Sequence, residues 1–162
     1  MDKKGLIIIL GILVIIDVLF LIFYIGDVFG QPFKQVEKGF VSKVIDGDTV
    51  IINGESVRLL GIDSDEKGYP CYNSAKKKIE ELVLNKEVIL EKGNEDKDRY
   101  ERLLRYLIIE NEYERINVNL QMVESGFAVA RFHGESEYKS EIVNAEKNAR
   151  NNNVGCKWIK VD

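Results

Sequence analysis

From Leu6 to Ile25 every position is apolar except Gly11 and Asp17. Twenty residues rising about 1.5 Å each make a helix of about 30 Å, the thickness of a bilayer's hydrocarbon core. The alternatives are a buried core helix and a cleaved signal peptide. The run leaves through Tyr24, Ile25, Gly26, Asp27, Val28 and Phe29 with no small-residue cleavage site, so the pattern favours an uncleaved transmembrane anchor over 6–25. Lys3 and Lys4 precede it, Asp27 follows it, and the next Lys is Lys34. That bias predicts a cytoplasmic N-terminus at 1–5 and a single-pass protein of the cytoplasmic membrane, with its domain facing the cell exterior. Asp17 in mid-run marks either helix pairing or a tolerated polar residue.

Residues 26–38 mix Gly, Pro32 and charges without periodicity and read as a linker. The pattern then switches to short alternating segments over 39–162. Phe40–Ile45, Thr49–Ile52 and Ser56–Leu60 are rich in β-branched residues and predict three strands, broken by Asp46-Gly47-Asp48 and by Asn53-Gly54, a strong hairpin signal. Ala75, Ile79, Leu82 and Val83 recur at helical spacing and predict a helix over Tyr72–Leu84, with Lys76, Lys77 and Lys78 on its solvated side. Strands are predicted at Glu87–Glu91 and Leu103–Ile109, with a charged loop from Gly93 to Asp98 between them. Asn117 can cap a short helix that ends at Ser125 and stops at Gly126. Phe127–Phe132 reads as extended and Tyr138–Asn151 as a last helix. Three strands, a helix, two strands and two helices fit an α+β, mainly β arrangement: the five-stranded Greek-key barrel called the OB-fold, with about three helices.

Composition narrows the partners. Three of the 23 basic and three of the 27 acidic residues precede Val36, so the 127 residues that follow keep the chain's net charge of −4. A generic basic nucleic-acid-binding domain is excluded, and any polyanion must be met by a local Arg cluster or a metal. Two cysteines alone do not make a zinc site.

Three stretches carry chemistry: Val44-Ile45-Asp46-Gly47-Asp48-Thr49-Val50, Arg58-Leu59-Leu60-Gly61-Ile62-Asp63-Ser64-Asp65-Glu66, and Asp98-Arg99-Tyr100-Glu101-Arg102-Leu103-Leu104-Arg105-Tyr106. In this order and spacing they resemble the staphylococcal nuclease (thermonuclease) family, and the resemblance extends through Gly126-Phe127-Ala128 to Trp158. The residues themselves agree. Asp48 and Asp63 end separate strands, where a barrel can bring two carboxylates together, and Ser64 can add its backbone carbonyl. Such hard oxygen donors suit calcium, with water and phosphate completing the shell. Glu66 is placed to hold or deprotonate a water, and Arg58 and Arg102 can each grip phosphate oxygens through two parallel hydrogen bonds. Two carboxylates facing each other repel, so removing Asp48 should slightly raise metal-free stability.

The resemblance implies Asp48, Asp63 and the Ser64 carbonyl as calcium ligands, and Arg58, Glu66 and Arg102 as catalytic residues. Arg99 and Tyr100 would be substrate contacts. It implies a calcium-dependent endonuclease acting on DNA and RNA, preferentially single-stranded, and leaving 3′-phosphate ends. The rival reading is a non-catalytic OB-fold module that binds single strands or protein at the membrane. The chain departs from the family in three places. Asp63-Ser64-Asp65-Glu66 replaces the common Asp-Thr-Pro-Glu, leaving Asp65 as an extra metal ligand or a solvated charge. Glu101 stands where a Gly often precedes the second catalytic Arg, and as a strand residue it should point away from Arg102. Ala128-Val129-Ala130-Arg131-Phe132-His133 breaks the usual aromatic pattern, leaving Phe132 as the base-stacking candidate and His133 as a surface residue. Exported family members can carry cysteines near Cys71 and Cys156. If these two bond, the closed loop is worth about 4 to 5 kcal/mol in the chain-entropy picture, and two unpaired thiols are the alternative.

Overall fold

Alternation along the start of the domain becomes strand β1 (Lys38–Val44), which buries Gly39, Val41 and Val44. Ser42 and Lys43 are exposed in succession because a register shift interrupts the pairing with the next strand between Val41 and Lys43, as a β-bulge does. That partner is β2 (Thr49–Ile52), followed by β3 (Glu55–Leu59). Asn53 and Gly54 join them with φ of 51° and 89°, the two left-handed residues that a tight hairpin needs. Next come β4 (Ile62–Ser64), α2 (Tyr72–Val83), β5 (Glu87–Lys97), β6 (Leu103–Glu110), β7 (Arg115–Asn117), α3 (Val118–Glu124), β8 (Ala128–Ala130), α4 (Lys139–Asn151) and α5 (Gly155–Trp158). The computed structural model describes residues 3–29, 36–134 and 136–159, in two units, Met1–Gln35 and Val36–Asp162.

In the second unit one sheet runs β3-β2-β1-β5-β6-β7. Strand β3 also pairs in parallel with β6, Val57 beside Leu103 and Leu59 beside Arg105, so the path from β3 through β2, β1, β5 and β6 returns to β3. This is a mainly-sheet α+β domain of OB-fold-like type. A second, two-stranded sheet sets β4 against β8, with Asp63 opposite Val129. Val41, Val57, Ile79, Leu107, Met122 and Ile142 are fully buried in the core formed by strands and helices, each of the larger ones contributing about 2 to 3 kcal/mol by leaving water. Asn117 caps α3 by accepting from Leu120 N at 3.1 Å. Gly126 ends that helix at φ 67°, where an added Cβ would lie 1.8 Å from the Val154 carbonyl oxygen.

The structure departs from the sequence reading in several elements. The charged segment 93–97, expected as a loop, continues β5, because β6 pairs with it as far as Lys97 opposite Leu103 after a register shift. Strands β4 and β7 and helix α5, of three, three and four residues, are too short to carry a period of their own. Each is held by its neighbours.

The first unit contributes α1 (Lys3–Phe29), whose side chains are described for residues 11–24. Among the described residues no helix is long and apolar enough to cross a membrane. This overturns the expected location in the cytoplasmic membrane with the domain facing the cell exterior. The linker residues 30–35 lie outside the described residues.

Candidate functional site

The site is assembled where the turn before β2, the end of β3 and the short β4 meet. Gly47 lets the turn close in, since a Cβ there would lie 2.7 Å from both the Ala75 Cβ and the Ser64 Cβ. Asp48, 6% exposed, accepts from Ser64 N at 2.7 Å through Oδ2 and from the Thr49 hydroxyl at 3.1 Å through Oδ1. Its carboxylate also pairs with the Arg58 guanidinium. The same guanidinium reaches Asp63 Oδ1 from Nη2 at 2.8 Å and donates to the Ile62 carbonyl at 3.2 Å. Asp48, from the turn before β2, and Asp63, from β4, thus come to one cationic group. Because Arg58 stands between them, the metal-free carboxylates are bridged and do not simply repel. Removing Asp48 is therefore expected to cost stability, in place of the small gain that repulsion alone would predict. Asp46 accepts from Asp48 N at 3.1 Å, and burial, followed by the nearby Asp48 charge, pushes its carboxyl above the ordinary value.

The second cationic group sits on the β5–β6 turn. Asp98 organises it, with Oδ2 accepting from Arg102 Nε at 2.7 Å and Nη2 at 2.7 Å, and Oδ1 accepting from Tyr100 N at 2.9 Å and Arg102 N at 3.0 Å. Burial alone would raise the Asp98 carboxyl, but these bonds outweigh it and hold it below its ordinary value. Arg102 Nη1 donates to the Thr49 hydroxyl at 3.4 Å, tying the turn to β2. The Arg99 and Arg102 guanidinium carbons lie 4.8 Å and 5.4 Å from the centre of the exposed Tyr100 ring, within cation–π range. Glu101 is not a strand residue as expected. It precedes β6, takes a left-handed φ of 63°, and turns outward to Lys97 at 3.4 Å. A Gly adopts that conformation without strain.

Both groups open on one cleft of about 860 Å³, lined among others by Arg58, Asp63, Glu66, Arg99, Tyr100 and Arg102. Glu66 is exposed at its rim. Phe132 lines it too, its ring packed so closely over Gly61 that a Cβ there would lie 2.5 Å from the ring. The exposed His133 also faces the cleft. Asp48 and Ser64 are buried and are not among the lining residues.

Three contacts were not legible in the sequence. Asp98 is one, although an Asp four residues before an Arg at a strand's start is a signal of sorts. Arg131 is another, pairing through Nη1 with Asp63 Oδ2 at 2.8 Å. The third is Asp65, which pairs with Lys157 of α5 and accepts from Cys71 N at 2.8 Å. Burial would raise the Asp65 carboxyl, but the Lys157 and Cys71 bonds lower it further. Asp65 is thus a tether of the loop carrying Glu66, in place of a metal ligand or a free charge. Cys71 and Cys156 are joined beside it, their Cα atoms 5.6 Å apart.

Among the described residues no three His, Cys, Asp or Glu side chains cluster so as to hold a metal ion on their own. The two carboxylates that converge on Arg58 nevertheless offer hard oxygen donors to a single cation, with the rest of the shell left to backbone carbonyl, water and phosphate. That donor set fits a hard divalent ion.

Comparison with known proteins agrees with this geometry. A profile described as Staphylococcal nuclease homologue matches residues 56–159. An uncharacterised protein of Methanocaldococcus jannaschii is 35% identical over 145 residues, covering 72% of this chain and 70% of that protein. A thermonuclease of Staphylococcus intermedius is 34% identical over 160 residues, covering 86% of this chain and 91% of its own. An uncharacterised endonuclease of Haemophilus influenzae is 33% identical over 120 residues, covering 71% of this chain and 63% of that protein. The chain belongs to the staphylococcal nuclease homologue family.

Proposed function

We propose that this chain is a calcium-dependent endonuclease that hydrolyses phosphodiester bonds of DNA and RNA, preferentially in single strands, and leaves 3′-phosphate ends. The observation that carries the reading is the meeting of Asp48 and Asp63 at one cationic group, in a molecule whose second arginine fork opens on the same cleft. Nuclease-named relatives support it.

Asp48, Asp63 and the Ser64 carbonyl would hold calcium, which would supply positive charge against the scissile phosphate. Arg58 then has both Nη atoms for phosphate oxygens. Arg102, oriented by Asp98, offers a second fork, and two fixed guanidinium groups favour the extra negative charge of the pentacoordinate transition state. Glu66, exposed at the rim, takes a proton from the attacking water. The water oxygen forms the new bond to phosphorus and the bond to the 5′ oxygen breaks, that oxygen taking a proton from solvent, so the phosphate stays on the 3′ side. Arg99 and the exposed face of Tyr100 contact the strand, and Phe132 stacks on a base.

The test is digestion of single-stranded DNA and RNA by the full chain with calcium, with magnesium and with chelator, followed by phosphatase treatment of the product ends. Cleavage that calcium restores, and 3′ ends that phosphatase modifies, are expected. Binding of oligonucleotide without cleavage under any cation would make the chain a binding module instead.

A further inference from the structure

We infer that Arg131 is a phosphate-binding residue for the nucleic-acid strand, held ready on Asp63 until a cation takes that carboxylate. The inference rests on the nuclease reading above and adds a fourth guanidinium to Arg58, Arg99 and Arg102, placed directly after β8 of the two-stranded sheet.

The backbone around Arg131 is fixed on both sides. Its N–H donates to the Gly61 carbonyl at 2.9 Å, Ala130 before it pairs with Ile62, and Phe132 after it packs on Gly61. The side chain is 57% exposed and lines the cleft. A rigid base carrying a solvated guanidinium is poor design for a structural ion pair, since exposed pairs add little to stability. It suits a ligand whose phosphate charge recruits the fork.

Charge balance says when it is available. Asp48 and Asp63 bring two negative charges to one corner, met in this structure by Arg58 and Arg131. A divalent cation there supplies the neutralisation that Arg131 otherwise gives. Asp63 then no longer needs both guanidinium groups, and the exposed one is released to the cleft. Metal and strand are thereby coupled: the residue that competes with the cation is the one that helps hold the substrate.

Full-chain protein and the variants Arg131→Gln and Arg131→Lys decide this by two binding readouts besides activity. The first is affinity for a labelled, nuclease-resistant phosphorothioate analogue of a short oligodeoxythymidylate in saturating calcium, where Asp63 has released Arg131, as a function of salt. Loss of one phosphate contact in Arg131→Gln should flatten the slope of log K against log salt by about 0.7 and weaken binding about tenfold at low salt, one charged contact. Arg131→Lys should keep the slope. The second is calcium affinity without nucleic acid, which should tighten about two- to fivefold in Arg131→Gln because a competing cation is gone. A parental salt slope and oligonucleotide affinity in Arg131→Gln would overturn the inference, as would weaker calcium binding, which would make Arg131 a prop for Asp63. If parental protein cleaves nothing with any divalent cation, the nuclease reading fails, while the salt slopes still judge Arg131 on their own.

Discussion

Asp98 reaches no substrate in the proposed mechanism, yet the geometry makes Arg102 depend on it. Asn at this position keeps one oxygen for the backbone N–H groups of Tyr100 and Arg102, but turns an amide donor toward Arg102 Nε and Nη2, each now 2.7 Å from an acceptor. Two charge-assisted bonds are lost. Each would be worth about 1.5 to 3 kcal/mol if sheltered, but the turn faces solvent, which brings the pair to about 1 to 2 kcal/mol in all. For a domain of this size that is about 3 to 8 °C in Tm. The larger effect should be on chemistry. A fork freed to rotate loses its aim at the transition state, and a misplacement of about 1 Å can cost about 100-fold, so kcat in Asp98→Asn should fall about 10- to 100-fold with KM changed much less. The pH dependence has a definite sign. The folded carboxyl titrates below its ordinary value, so its stabilising effect is fully present above the unfolded value of about 3.9 and fades as pH falls through the folded one. Calorimetry of parent and variant should give a Tm gap that is constant from about pH 5 to 8 and shrinks below about pH 4. Steady-state cleavage assays complete the test. Parental kcat in Asp98→Asn, or a Tm gap that persists in strong acid, would refute the positioning role.

Arg58→Lys and Arg102→Lys each keep the charge and lose the two-pronged grip, so each should lower turnover at least 100-fold, about 2.7 kcal/mol, with far smaller loss of single-strand affinity; parental rates in both would sink the mechanism. Asp48→Ala should abolish calcium-dependent cleavage and, because it strips a buried acceptor from Ser64 N, Thr49 and Arg58, destabilise the metal-free protein by about 3 kcal/mol or more; a gain in stability on urea unfolding would mean that repulsion between the carboxylates outweighs their bridging by Arg58. Reduction of the Cys71–Cys156 bond, whose partners are 85 positions apart, should cost about 4 to 5 kcal/mol in chemical denaturation. Turnover well below the melting range should change little, since the Asp65–Lys157 pair still holds the Glu66 loop, and a large fall in kcat would show that the disulfide alone positions it.

How much of this was legible in the sequence depended on whether the signal was local. The strands from Lys38 to Leu59 follow from alternation, and their hairpin from Asn53-Gly54, because side-chain period and left-handed turn preference belong to the residues themselves. Helices α2 and α4 follow from apolar positions three and four apart, and the cap at Asn117 from its own side chain. The order and spacing of the Asp48, Asp63 and Arg102 stretches pointed to a shared site through their resemblance to the staphylococcal nuclease family. Other features have no local signal. Strands β4 and β7 are too short for a period and exist through pairing, and β5 runs on through its charges because β6 is there to bond it. The bridge of Arg58 between two carboxylates, the Arg131–Asp63 pair and the Asp65–Lys157 tether join residues 5 to 92 positions apart. Charged side chains choose partners by distance in space, and only the folded chain sets that distance.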